Sequence, residues 1–272
     1  MSGGEVRTRS NTTTARALWS ASPKLLLTAS IPYIDRFHSH VVVEDLPVPE
    51  LREWNYSGLG DMTVIANRTV LGGSESAPWS LSLLAGVKLP TGRDHVPDID
   101  GEEPEPHARP GTGSTDVIAG FQVLRRIDRE AGAPTIVFAS SQYTGTGVGV
   151  DDYRVGRSVE GHLGASVPVL EKLWAQLQVN GMVRAHDRSE SPDEAGGHAG
   201  HAIPGEGAST EETGVHENTG GAAIFLAPGL RYDVTPFLAL SSYVQLPVYQ
   251  NVNGTQLVAP FQFWIGTTYK LP

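Results

Sequence analysis

The segment LWAQLQVNGMVRAHD (173–187) alternates apolar and polar side chains along most of its length. Leu173, Ala175, Leu177, Val179, Gly181 and Val183 fall on one side, and Gln176, Gln178, Asn180 and Arg184 on the other. A period of two is the side-chain period of an extended strand and excludes a helix with one consistent apolar face. Such a strand needs one dry face and one wet face. The same rhythm recurs near 12–20, 23–32, 58–70, 79–90, 114–127, 133–145, 159–169, 173–186, 220–233, 237–248 and 257–271, with 3–9 as the remnant of one more. This predicts an all-β chain of about twelve strands of about ten residues.

The connections sort by length. Ala21-Ser22, 71–78, 128–132, 170–172 and 234–236 are short; 33–57, 91–113, 146–158 and 187–219 are long, with a shorter turn at 251–254. Short turns at one end and long loops at the other are the plan of a transmembrane antiparallel up-and-down β-barrel. The expectation is a single barrel domain over 1–272 with its long loops on one face.

The character of the dry face supports lipid. In 79–90 the apolar row is Trp79, Leu81, Leu83, Ala85, Val87 and Leu89, opposed by Ser80, Ser82, Gly86 and Lys88. The apolar rows are only moderately bulky, and the opposite rows are small or amide-bearing with an occasional charge. That suits lipid outside and a hydrogen-bonded or wet interior. The predicted lumen-lining set is Asp61, Lys88, Asp116, Gln122, Glu160, His162, Gln176, Gln178, Asn180, Arg184, Arg231, Gln245 and Gln262. Twelve strands lie between barrels filled by side chains and open porins, so a narrow polar passage and an occluded barrel both remain open. Aromatic residues gather near strand ends: Trp79, Trp174, Phe237 and Tyr269 at the short turns, and Trp54, Tyr56, Tyr143, Tyr153, Tyr249 and Phe261 at the long loops. Rings at headgroup level would form two girdles.

Composition narrows the classes. No run of about 18 apolar residues exists for a membrane-crossing helix. With no cysteine there is neither a disulfide framework nor a thiolate metal site. A formal charge of −10 argues against nucleic acid. The start, MSGGEVRTRSNTTTARALW, lacks an apolar signal core, so either the chain is not exported or its start is trimmed or misassigned.

Six segments occur in order: IPYIDRFHSH (31–40), WNYSGLGDM (54–62), GVKLPTGR (86–93), RPGTGSTDVIAGF (109–121), APGLRY (227–232) and YVQLPVYQNVNG (243–254). Together they resemble a bacterial outer-membrane β-barrel family, transporter-like and labelled "MetA-pathway of phenol degradation". The resemblance runs from about residue 25 to the C-terminus. It implies residence in a Gram-negative outer membrane and passage of small solutes, aromatic compounds among them, with the lipid bilayer and the barrel-insertion machinery as partners. Gly266, Tyr269 and Leu271 resemble the terminal strand signal of such barrels, although the chain ends in Pro272.

The remaining motifs point to structure more than chemistry. GLGD (58–61) and PGTGSTD (110–116) precede strands, whereas a phosphate cradle precedes a helix. They read as sharp turns at the rim, with Asp61 and Asp116 placed to pair with cations or interior arginines. The loops carry the acidity: five acids against two bases in 33–57, six against two in 91–113, and eight against one in 187–219. Seven of nine histidines lie there too (His38, His40, His95, His107, His198, His201, His216). His198, His201 and His216 with Glu217 are a candidate divalent-metal set, set against a plain solvated loop. No G-x-S-x-G elbow or zinc-protease motif occurs, and Ser166 and His162 lie about 13 Å apart along one strand. No enzyme and no cofactor is expected.

Overall fold

The computed structural model describes residues 5–42, 50–73, 77–98, 101, 103–104, 106–130, 132–189, 214–254, 256 and 259–271. The strands are β1 (Glu5–Ser22), β2 (Leu25–Val42), β3 (Glu50–Leu59), β4 (Met62–Gly72), β5 (Trp79–Leu89), β6 (Asp116–Ile127), β7 (Thr135–Gly145), β8 (Tyr153–Arg154), β9 (Ser158–Pro168), β10 (Leu173–Arg184), β11 (Asp187–Ser189), β12 (Val215–His216), β13 (Gly221–Asp233), β14 (Leu238–Val252) and β15 (Gln262–Tyr269). Two short 3-10 turns, Pro106–Ala108 and Val150–Asp152, are the only helical pieces among the described residues.

The main sheet is antiparallel and runs β1-β2-β4-β5-β6-β7-β9-β10-β13-β14-β15, with β3 pairing the far half of β2. Eleven strands therefore follow the curl, and β3 makes twelve. The sheet curls into a half-barrel. No ladder joins β1 to β15 among the described residues. A second, three-stranded sheet, β12-β11-β8, links two of the long loops.

From β4 onward the strands of the main sheet lie within about five residues of the predicted ones, because alternation there is strong, whereas β8, β11 and β12 fall in segments expected to be loop. Two expectations are corrected. The runs expected separately near 3–9 and 12–20 join in one strand, Glu5–Ser22, and the described residues of the expected long loop 33–57 are strand, as the far half of β2 up to Val42 and as β3 from Glu50. β1 pairs β2 from Glu5↔His40 to Ser22↔Leu25, and β3 returns along β2 from Val42↔Glu50 to Tyr33↔Leu59. This part is polar on both faces, so hydrophobicity shows no period there. Backbone ladders and the β-branched threonines of β1 suffice to hold it.

Register fixes the faces. Directly opposed residues share a side of the sheet, and the row Ser82–Gln122–Ser140–His162–Asn180–Phe225 crosses six strands on one face. The other face carries Leu83–Phe121–Ser141–Gly161–Gly181–Ile224. Curling splays the outer side chains and crowds the inner ones. Leu177 is 52% exposed, Leu163 57% and Val183 59%, while Asn180 is 8% exposed. The aliphatic row is thus outward and the amide row inward. The one cluster of buried apolar residues among those described is Trp54, Tyr56 and Val96, at the long-loop end.

Crowding on the inner face is met by glycine. A Cβ on Gly229 would lie 2.3 Å from Cδ1 of Tyr243, whose hydroxyl reaches over β13 to donate to Gln176 Oε1. Gly229→Ala should displace this ring and cost about 1–3 kcal/mol of overpacking. A lowered denaturation midpoint, largely restored by adding Tyr243→Ala, is the expected result.

Candidate functional site

The inward-facing residues of the main sheet continue at the long-loop end into a polar network. At its centre lies Lys88 on β5. Its Nζ is 3.1 Å from Asp61 Oδ2 and 2.9 Å from Asp116 Oδ2, and it donates to Thr112 Oγ1 at 2.5 Å and Ser114 Oγ at 3.1 Å. The side chains are well enclosed, 17% exposed for Lys88, 5% for Asp61 and 6% for Asp116. Register explains the meeting: Lys88 is opposite Asp116 on β6 and Thr63 on β4, and Asp61 lies two residues before Thr63 on the same face.

The carboxylates also hold loop backbone. Asp61 accepts from the amides of Gly92 and Thr112, both at 3.0 Å, and from the Thr112 hydroxyl at 2.9 Å. Asp116 Oδ1 accepts from the Ser114 hydroxyl at 2.8 Å and the Gly147 amide at 3.2 Å. The two ends of the 91–113 loop meet here: Gly111 N donates to Arg93 O at 2.8 Å, and Arg93 N to Leu59 O at 2.7 Å. A Cβ on Gly111 would lie 2.6 Å from Gly92 backbone, so the glycines of PTGR and PGTG allow the loop neck to close. The expected rim turns are seen, and Asp61 and Asp116 pair with a lysine rather than an arginine.

Beyond the neck, the loop folds back over the inward face of β2 and β3. Arg36 and Tyr56 are opposed in register, and both donate to the carbonyl of Ala108. Val96 packs with Trp54 and Tyr56. Burial pushes the Tyr56 phenol above its usual range, with the charges of Arg36 and Arg109 opposing, so it is a neutral donor here. Arg109, itself buried, donates to Pro104 O at 2.9 Å and Asp94 O at 3.3 Å and pairs with Asp151 at 2.7 Å. Asp151 holds a left-handed φ of 56°, a conformation costly for a non-glycine residue and fixed here by that ion pair.

A second cluster joins the loops carrying β8, β11 and β12. Asp187, fully buried, accepts from the Tyr153 hydroxyl at 2.6 Å and the Gly156 amide at 2.7 Å. Tyr153 packs against His216, ring centroids 4.9 Å apart, and its hydroxyl lies 3.3 Å from His107 Nδ1. His216 Nε2 is 2.8 Å from Ser189 Oγ. That is a nucleophile-to-base distance, but Ser189 is 9% exposed and closed beneath the cluster.

All the predicted lumen residues from Lys88 to Gln262 lie on the inward face by register. His162 Nδ1 is 2.9 Å from Asn180 Oδ1, and its Nε2 is 3.8 Å from Glu160. Gln176 donates to Ser166 at 3.4 Å, and Arg231 pairs with Asp233 at 2.8 Å. Gln122 lies opposite Ser82 and Ser140, Gln178 opposite Gly164 and Ala227, Arg184 opposite Ser158 and Gly221, and Gln245 opposite Gln262. Of the candidate metal set, His198 and His201 lie outside the described residues, Glu217 is exposed, and His216 is the ring held by Ser189. No three His, Asp or Glu converge as a metal-holding group among the described residues.

Sequence reading missed Arg36, Tyr56, Arg109, Thr112, Ser114, Tyr153, Asp187 and Ser189. Arg36, Tyr56, Arg109, Thr112 and Ser114 lie inside the quoted motifs, and Tyr56 and Tyr153 read only as strand-end aromatics; Asp187 and Ser189 carry no local signal. Trp54, Tyr56, Trp174 and Tyr153 do not join an outward girdle. The first two pack inside, Trp174 donates to Asp233 at 3.0 Å on the inward face, and Tyr153 is buried among the loops. No protein-family model matches the chain, and no curated protein matches it.

Lys88→Ala would leave two enclosed carboxylates facing one another without a cation. Removing one partner of a buried pair costs about 3–5 kcal/mol. We expect a lower unfolding midpoint and faster tryptic cleavage after Arg93. The neutral triple variant Asp61→Asn/Lys88→Met/Asp116→Asn should recover most of the midpoint.

Proposed function

We propose that the chain is a porin-like channel of a Gram-negative-type outer membrane, its curled sheet completed into a closed barrel that passes small solutes. The outward rows carry this reading. They present aliphatic and aromatic residues strand after strand, with no second layer over them among the described residues. A soluble sheet buries its apolar face against another layer, and exposed apolar surface of this extent marks a partner or a membrane. β5, β7 and β9 have 11 residues each and β10 has 12. Tilted strands of about 9–11 residues cross a bilayer core. Outward Trp79 and Tyr269, with exposed Phe237 in the adjoining turn, near the short turns, and Tyr143, Tyr249 and Phe261 near the long loops, suit the two interfaces.

Closure follows from the same requirement. In hydrocarbon every backbone group must be paired, so the free edges of β1 and β15 need a ladder. Both strands run toward the short turns. They can meet in parallel, or antiparallel with one further strand between them. The motif order that resembles the transporter-like "MetA-pathway of phenol degradation" family supports small-molecule passage.

A second reading is an occluded barrel acting through its loops. The observation favouring it is the 91–113 loop, which folds inward over β2 and β3 and is tied down by Lys88, Tyr56 and Arg109. Within the channel reading, this loop is the constriction.

Two experiments test the proposal. Lysine in place of outward Leu177 should block assembly into bilayers, since a charge at mid-membrane costs roughly 2–4 kcal/mol. Lysine at inward Gln178 should be tolerated. Equal assembly of both, read by heat-modifiable gel mobility, would remove the membrane assignment. In planar bilayers, Arg109→Ala should loosen the loop and raise single-channel conductance. Closed traces from both proteins, correctly folded, would favour the occluded barrel.

A further inference from the structure

The outward rows of β4, β5, β6, β7, β9, β10, β13, β14 and β15 contain two charged side chains among the described residues, Arg68 and Arg125. Both are exposed. Arg68 is flanked in register by Leu25 on β2 and Leu83 on β5, and Arg125 by Trp79 on β5 and Val137 on β7. Neither has a hydrogen-bond or ion-pair partner among the described residues. Nearby arginines contrast with them: Arg126 pairs with Asp128 at 2.7 Å, and Arg129 donates to Pro168 O at 2.8 Å.

Both positions lie in the half of their strands nearest the short turns. Arg125 is the third residue from the end of β6, and Arg68 the fifth from the end of β4. Arginine stems reach along apolar surface and set their heads at the interface. Arg125 and Trp79, with Pro78 and Val123, line an outward notch of about 360 Å³. Its apolar walls suit the upper part of an acyl chain. The indole ring favours the headgroup level, and a guanidinium fork matches two oxygens of a phosphate.

We propose that Arg125 and Trp79 form an outward-facing site for the phosphate of an anionic phospholipid in the leaflet on the short-turn side, with Arg68, two strands away and four register positions farther from the turns, adding positive charge to the same outward face. The site rests on the membrane-barrel reading. Its cations are matched by the charge of the headgroup, since the outward rows of those strands offer no carboxylate among the described residues. The acidic long loops lie at the opposite end, and Asp128 in the adjoining turn is engaged by Arg126 at 2.7 Å.

The test uses the full chain, purified in detergent, freed of lipid and offered equal amounts of phosphatidylglycerol and phosphatidylcholine. Retained lipid is counted by native mass spectrometry. The wild-type chain should retain phosphatidylglycerol preferentially. Arg125→Gln should cut that preference about fivefold, or about 1 kcal/mol, the scale for one arginine at an anionic surface. Arg68→Gln/Arg125→Gln should abolish it. Arg129→Gln removes the same charge from a turn and should leave the preference unchanged. Equal retention of both lipids by the wild-type chain, or an equal loss in Arg129→Gln, would overturn the site. A chain that stays soluble without detergent and never enters vesicles would instead overturn the barrel reading. Insertion without lipid preference overturns the site alone.

Discussion

Everything in this protein hangs on the backbone ladder. The main sheet has little buried apolar core, and its large aliphatic residues mostly face out. Cohesion therefore comes from eleven consecutive antiparallel strands, each pairing its neighbours over most of its length. A ladder of this kind satisfies backbone polar groups internally, as hydrocarbon demands, and leaves side chains free to obey two solvents. Each strand accordingly alternates between what tolerates an apolar exterior and what can hydrogen-bond inside. Among the described residues the pairing ends at β1 and β15, which no ladder joins.

The inner face shows how a polar interior is kept ordered. Gln176, Tyr243, His162 and Asn180 bond to one another or to small neighbours, and glycines under Tyr243 and beside Phe138 give the long side chains room. At the long-loop end the same logic scales up. One lysine between two aspartates ties a strand-to-strand junction, a loop neck and the start of β6 into one unit. Such a pair gains little over an apolar packing of equal shape, but losing one member is costly. It fixes where the 91–113 loop enters the interior, and hence how wide any passage is.

Much of the fold was legible because strands with one apolar and one polar face write those faces into sequence. The row Leu173 to Val183 and its amide counterpart sit where alternation put them. Legibility failed where that contrast faded. The described residues of 33–57 are strand, yet Asp35 and Phe37 share one face and Arg36 and His38 the other, so no period marks them. The aromatic residues divided for a similar reason. Position near a strand end was readable, but Trp54 and Tyr56 face inward because the 91–113 loop offers Val96 and the Ala108 carbonyl to them.

The sequence by itself determined the strand rhythm, the sorting of short turns from long loops, and which residues share a face, since all three depend on neighbours along the chain. The tertiary structure decided which distant groups meet. Asp61, Lys88, Thr112 and Asp116 come from four segments, and Tyr153, Asp187, Ser189 and His216 from two loops. The registers of β4, β5 and β6 bring the first set together, and the three-stranded sheet of β8, β11 and β12 the second. Register is set by pairing between strands, and no local pattern encodes it where both faces are polar.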